Sequence, residues 1–312
     1  MSIKLLDAPT SKRDDPRARL YVIDHLNPGQ TIHRRVQVTN ASGTPRTIEL
    51  YPAAATIQNS TFTFADGRTP NELTSWITLD QNSLTMAPGG IGTVLVTIAV
   101  PRTASEGERY AVIWAQTTVG SSGGANVIQA SRLGVRVYLD IGPGGEPASS
   151  FEITELTADR APDGTPRVTA QVHNTGARAL DITGSLTLSD GPGSASAGPF
   201  PVTAAATLAP GQAGPVTVTL DPRLADGPWQ AHLTLTSGMT SQEVSATITF
   251  PRSGVTRLPI KPALDNWTIA GLGLLLVILA LTALARYARR RRRRAPAAPV
   301  PRSAGDGSPR RR

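Results

Sequence analysis

The sequence predicts an all-β protein, two tandem β-sandwich domains followed by one C-terminal transmembrane helix. Three observations carry that prediction. Apolar and polar side chains alternate with a period of two through much of the chain before residue 252, a set of strand-and-turn motifs occurs twice, and residues 267–285 contain no charge. The composition agrees: 29 Gly and 26 Pro in 312 residues suit short strands broken by frequent turns.

The alternation locates individual strands. Leu133, Val135, Val137 and Leu139 point one way, with Gly134, Arg136 and Tyr138 between them. Val216, Val218 and Leu220 alternate with Thr217 and Thr219, and Val244, Ala246, Ile248 and Phe250 repeat the pattern. Successive side chains of a strand face opposite sides, so these runs are half-buried antiparallel strands. Asn27-Pro28-Gly29, Ala87-Pro88-Gly89 and Asp190-Gly191-Pro192 mark turns between them.

The repeat sets the domain number. Val36-Gln37-Val38-Thr39-Asn40-Ala41-Ser42-Gly43 is matched by Ala170-Gln171-Val172-His173-Asn174-Thr175-Gly176. Leu84-Thr85-Met86-Ala87-Pro88-Gly89 is matched by Thr207-Leu208-Ala209-Pro210-Gly211, and Gly107-Glu108-Arg109-Tyr110 by Gly227-Pro228-Trp229. About seven or eight short strands per unit at this spacing predict an immunoglobulin-like sandwich. The expected limits are a first sandwich over 1–142, a Gly/Pro linker over 143–150 and a second sandwich over 151–252. A stalk over 253–266, a transmembrane helix over 267–285 and a basic, disordered tail over 286–312 complete the plan. The first unit is expected to carry an extra stretch, Thr56 to Thr74, that the second lacks.

The membrane expectation rests on length and charge. The 19 uncharged residues from Trp267 to Ala285 would span roughly 28 Å as a helix, near a bilayer's hydrocarbon thickness. Trp267 and Tyr287 would sit at the two interfaces, and Arg289, Arg290 and Arg291 open a six-arginine block. Positive flanks stay cytoplasmic, so the tail is expected inside, against the lipid bilayer, and the sandwiches outside. An exported body implies a signal peptide, yet MSIKLLDAPTSKRDD has no apolar stretch of that kind. The reading frame is therefore expected to continue upstream of Met1. Leu258-Pro259-Ile260-Lys261-Pro262 mimics a sortase signal but lacks the Thr-Gly that is cleaved, and reads as stalk.

Charge and chemistry exclude several function classes. The net charge of +8 comes from 31 Lys+Arg against 23 Asp+Glu, but residues from 286 onward hold 11 Arg and one Asp. The body before them is therefore faintly acidic, and the arginines speak of topology. No aromatic interleaves them as a stacking platform would, so nucleic acid is not an expected partner. The chain has no Cys, which removes disulfides, thiolate metal sites and thiol catalysis. His25, His33, His173 and His232 are scattered without ligand spacing, Asp14-Asp15 and Asp163 belong to no calcium loop, and no nucleophile elbow or P-loop occurs. The Gly/Ser stretch Gly120–Gly124 reads as a hairpin tip. No catalytic residue, metal or cofactor is expected, and the protein is not read as an enzyme.

One resemblance narrows the reading. Asp15-Pro16-Arg17, Leu26-Asn27-Pro28-Gly29, Val36-x-Val38-x-Asn40, Tyr51-Pro52 and Trp76 carry it, with Ala87-Pro88-Gly89, Val100-Pro101, Gly107 and Gly134-Val135-Arg136-Val137-Tyr138. On these residues the first unit, about 3–142, resembles the peptidoglycan-binding domain of the WxL-interacting protein family of Gram-positive cell surfaces. The second unit is similar to a generic immunoglobulin-like or alpha-galactosidase-associated module. The resemblance implies a membrane-anchored cell-surface protein that binds cell-wall peptidoglycan or another wall glycan.

The residues themselves offer one candidate ligand site. Phe62 and Phe64 place two aromatics on one strand face, and Arg68, Asn71, Glu72 and Trp76 follow as hydrogen-bonding and stacking groups. The competing role for Trp76 and the phenylalanines is to fill a core. The function expected is non-catalytic binding of peptidoglycan or organisation of surface components. Its alternative is an adaptor that binds another secreted surface protein by strand addition along a sandwich edge.

Overall fold

The computed structural model describes residues 1–119, 129–251, 256–258 and 261–262. The first half of the chain forms β1 (Ser2–Leu5), β2 (Val22–Leu26), β3 (Thr31–Thr39), β4 (Arg46–Gln58), β5 (Thr61–Phe64), β6 (Ile77–Leu79), β7 (Ser83–Met86), β8 (Ile91–Ala99), β9 (Gly107–Val119) and β10 (Gln129–Ile141). The second half forms β11 (Phe151–Arg160), β12 (Pro166–Asn174), β13 (Leu180–Gly191), β14 (Ala195–Pro201), β15 (Ala206–Leu208), β16 (Ala213–Thr219), β17 (Trp229–Ser237), β18 (Thr240–Ile248), β19 (Thr256–Leu258) and β20 (Lys261–Pro262).

These strands build two sandwiches of one topology. In the first, the sheet β1-β3-β8-β6 faces the sheet β2-β10-β9-β4-β5, with β7 also on β4. In the second, β16-β12-β11-β19 faces β14-β13-β17-β18-β20, with β15 on β13. Each β1-β3-β8 relation is repeated by β11-β12-β16, and β10-β9-β4-β5 by β18-β17-β13-β14. Nearly all pairs are antiparallel; β2 runs parallel to β10, with Val22 beside Val137. Each sandwich has its own core. Val36, Val38, Ile98, Ile113, Val137 and Leu139 fill the first, and Leu156, Val172, Leu186, Val218, Leu233 and Ile248 the second. Side chains buried this fully each contribute about 1.5–3 kcal/mol of transfer free energy.

The repeated Asn has a shared physical task. Asn40 is buried, and its Nδ2 donates to the carbonyls of Thr44, Met86 and Ala87 at 2.9, 3.1 and 3.1 Å. Asn174 does the same in the second sandwich, donating to Arg178 O at 2.8 Å and Leu208 O at 3.0 Å. Each main chain also pairs with its Pro-Gly turn: Gly89 N donates to Asn40 O at 2.8 Å, and Gly211 N to Asn174 O at 3.1 Å. One side chain thus staples the turn after β3 or β12 to the hairpin that follows β7 or β15. Buried carbonyls require such donors.

Two expectations are corrected here. A single-pass membrane protein with its sandwiches outside and its tail inside needs a helix of about 20 apolar residues. Among the described residues no helix is long and apolar enough to cross a membrane. The helices there are 3-10 turns of three or four residues, such as Arg17–Arg19 and Leu73–Trp76. The segment 267–285 and the flanking Tyr287, Arg289, Arg290 and Arg291 lie outside the described residues, as does the Gly120–Gly124 tip. The second correction concerns the extra stretch of the first unit. The hairpin β4–β5 has a counterpart, since β14 pairs with β13 with Leu186 opposite Phe200. β14 is an edge strand beside β13, while the 3-10 turn Leu73–Trp76 and β6, which separate β5 from β7, occur only in the first unit.

Candidate functional site: the outer sheet face and the β10 edge

The five-strand path β2-β10-β9-β4-β5 is apolar on both faces. In β9, Ala111, Ile113 and Ala115 turn toward the core while Tyr110, Val112 and Trp114 turn outward. The outer face gathers Tyr21, Tyr51, Phe62, Phe64, Tyr110, Trp114 and Tyr138, half of the chain's Trp, Tyr and Phe residues. Their rings meet tilted or edge-on, the favoured geometries: Phe62 to Tyr138 at 5.0 Å, Phe62 to Phe64 at 5.4 Å and Phe64 to Trp114 at 4.8 Å. Arginines lie on top, with Arg68 4.0 Å over Tyr51, Arg132 4.5 Å over Trp114 and Arg136 4.8 Å over Phe62. Gly134 sits mid-strand because a Cβ there would come within 2.5 Å of Val112 Cγ2 and 2.7 Å of Trp114 Cε3.

The second sandwich covers part of this face. Ala179 and Ala209 pack into the Phe62–Tyr138 cluster, and Thr207 N donates to Ser60 O at 2.8 Å. Two charged groups reach across in opposite directions. Arg178 donates through Nε to Glu108 Oε1 at 2.9 Å and also reaches Glu146. Glu108 Oε2 accepts Ala179 N at 2.7 Å and the Tyr110 hydroxyl at 2.8 Å. In return Arg17 donates through Nε to Asp181 Oδ2 at 2.9 Å and through Nη1 to Ala179 O at 3.0 Å. Its Nη2 lies 2.8 Å from Asp181 Oδ2 without hydrogen-bond geometry. Asp181 Oδ1 accepts Arg136, Tyr138 and Thr207 at 3.2, 3.0 and 2.8 Å. Burial opposes the charge on Arg17, but Asp181, together with Tyr138 and Asp15, raises that guanidinium above its ordinary value. Burial, then Asp181, pushes the Tyr138 hydroxyl well above its ordinary range, so it stays a donor.

Beyond this junction one side of β10 has no paired strand among the described residues. Only Val137–Ile141 pairs with β2, and along Gln129–Arg136 β9 is the sole partner strand among the described residues. Leu133, on the core side, is 45% exposed there. Arg132, Gly134 and Arg136 occupy the outer side of the same stretch, since Arg132 and Arg136 stack on that face and Gly134 abuts Trp114.

The residues expected to bind a ligand are divided among other tasks. Phe62 is 3% exposed and stands at the junction, while Phe64 is half-buried between Phe62 and Trp114. Trp76 is buried in the first core, with Arg109 5.1 Å above its ring. Asn71 Oδ1 accepts Thr74 N at 3.0 Å and its Nδ2 donates to Tyr110 O at 2.8 Å, holding the 3-10 turn against β9. Glu72 accepts Arg109 Nε at 2.7 Å, and Arg68 pairs with Glu49 at 2.6 Å above Tyr51. Asn71, Glu72 and Trp76 are thus brought together around one turn, and Phe62 and Phe64 around another cluster. Tyr110, Trp114, Arg132 and Arg136 were not among the expected site residues. A signal for Tyr110 and Trp114 existed, because Tyr110-Ala111-Val112-Ile113-Trp114-Ala115 carries no charged residue, the mark of a strand buried on both faces.

No family model matches the sequence, and no curated protein matches it. Among solved structures, the chain is similar to the Salmonella enterica SafA pilin in complex with the SafB chaperone, at 10% identity and TM-score 0.42, covering 80% of this chain and 97% of that chain. It is also similar to the YadV chaperone, at 11% identity and TM-score 0.40 over 83% of this chain and 100% of that chain. The Pseudomonas aeruginosa CupB2 chaperone is a third, at 11% identity and TM-score 0.36, covering 73% and 97%. With likenesses of this degree, the assignment of two sandwiches rests on the chain's own strand pairing.

Proposed function

We propose that this protein is a non-catalytic adaptor that binds another polypeptide, an exported surface protein, by accepting one of its strands along the free edge of β10. The observation that carries the reading is the stretch Gln129–Arg136, which pairs with β9 on one side and, among the described residues, with no strand on the other. An open edge offers a row of main-chain N–H and C=O groups, and an added strand satisfies them while side-chain contacts supply specificity. Other edges are poorer. β14 contains Pro199 and Pro201, β16 contains Pro215 and is bridged by Ala204 at Thr217, β6 has three residues, and β1 and β5 have four each. The ion pairs at the junction hold the second sandwich against the same sheet, which keeps the edge strand backed by a fixed support.

The test is selection of displayed strand-forming peptides on the full chain, followed by hydrogen exchange. Bound peptides are expected to slow exchange of the amides in Leu133–Arg136. Purified peptidoglycan retained by the chain, with selected peptides leaving that stretch unprotected, would overturn the reading in favour of wall binding.

A further inference from the structure

We propose that the strand accepted by β10 alternates apolar with acidic side chains, its acidic positions lying on the arginine-covered outer face. The inference rests on the strand-addition reading above and deepens it by naming the partner's chemistry. Residues of neighbouring strands share faces, so a strand laid beside Gln129–Arg136 has one set of side chains next to Leu133 and Val135 and the other next to Arg132, Gly134 and Arg136. The first set meets the rim of the core, where Val135 is buried and Leu133 is exposed. Apolar residues there would extend the core across the gap.

The second set meets uncompensated positive charge. On this face Glu108 is taken by Arg178 and Asp140 by His25, so Arg17, Arg68, Arg132 and Arg136 share Glu49 and Asp181, and Arg132 has no carboxylate partner among the described residues. Glu49 is taken by Arg68, and Asp181 is shared between Arg17 and Arg136. Arg132 is exposed, and its guanidinium carbon lies 4.5 Å from the centre of the Trp114 ring. Tyr110 and Tyr138 add no negative charge, because burial raises both hydroxyls far above neutral pH. A carboxylate on the incoming strand beside Arg132 is the complement this face lacks, and a lysine there would be repelled. The ring stack also lowers the entropy lost when Arg132 takes a partner, because the side chain is already placed.

Two short synthetic strand peptides test this on the full-length chain. Both carry Val at alternate positions; the remaining positions are Glu in one and Lys in the other. The Glu peptide is expected to bind about five-fold tighter or more at low salt, a ratio that shrinks as ionic strength rises. Arg132→Glu should reverse the preference, and Arg132→Gln should bring it near unity, while Arg223→Glu, at another loop, leaves it unchanged. Equal binding of the two peptides, with the β10 edge protected and Arg132→Glu without effect, overturns the inference and leaves strand addition standing. A rise in affinity for both peptides alike in Arg132→Gln also overturns it, since the arginine then only guards the edge against pairing. If neither peptide protects the edge, both this inference and the strand-addition reading fail.

Discussion

Arg178 Nε of the second sandwich donates to Glu108 Oε1 of the first at 2.9 Å, and the two side chains are each 3% exposed. Taking two charges out of water offsets most of what their attraction returns, but removing one partner strands the other. Arg178→Ala should therefore cost about 3–5 kcal/mol in denaturant unfolding. The paired change Glu108→Gln with Arg178→Met should cost clearly less than either truncation alone. A double variant as unstable as Arg178→Ala would mean that packing, and not stranded charge, sets the loss.

The staples make a second prediction that separates shape from hydrogen bonding. Asn40→Asp and Asn174→Asp keep the size of the side chain but replace a donor by an acceptor facing carbonyls. Each leaves buried carbonyls unpaired, at about 1–3 kcal/mol, with the cost of a buried charge in addition. Both aspartates should lower the thermal midpoint more than alanine does at the same position. An aspartate variant as stable as wild type would show that the turns hold without their staple.

The contrast between these staples and the outer face explains what was legible in the sequence. Asn40 and Asn174 sit in matching strings beside matching Pro-Gly turns, so repetition exposed them, and the period-2 runs exposed the strands because one face of each is solvated. The outer face gave no such signal. Phe62 lies on β5, far in sequence from Tyr110, Trp114 and Tyr138 on β9 and β10, and only the sheet order β10-β9-β4-β5 brings them together. Phe62 reads as a ligand contact from its neighbours, yet its ring is enclosed by Tyr138 and the second sandwich, a non-local contact that no window of residues contains. The free edge was equally hidden, since it depends on β2 pairing with only the last residues of β10.

Gly134 makes the outer face measurable. Its φ is not the constraint; Val112 Cγ2 and the Trp114 ring are, lying 2.5 and 2.7 Å from where a Cβ would stand. Gly134→Ala should force the ring outward or push β10 from β9, at about 1–3 kcal/mol for overpacking. The Trp114 emission should shift to the red as its indole gains solvent, and Arg132 should lose its stack. The double variant Gly134→Ala with Trp114→Phe should recover part of the loss. No recovery would place the strain against Val112 or in the backbone instead of the ring.

The last prediction concerns acid. Asp221 accepts Arg223 Nη2 at 2.8 Å and the Arg223 backbone N–H at 2.9 Å, and the Arg223 side chain, ahead of its backbone N–H, holds the carboxyl at about 2, against an ordinary 3.8. Because the folded value is the lower one, the contribution of this pair to stability is present above 3.8 and fades as pH falls from there through about 2. Arg223→Ala removes the side chain but keeps the backbone donor, so the carboxyl should move only part of the way back toward 3.8. A carboxyl-carbon NMR titration of Asp221 reads this directly. The stability gap between wild type and Arg223→Ala should also narrow as pH is lowered through that window, because a protonated Asp221 no longer distinguishes the two proteins. A gap that stays constant down to pH about 2 would mean that Arg223 acts through some contact other than this carboxylate.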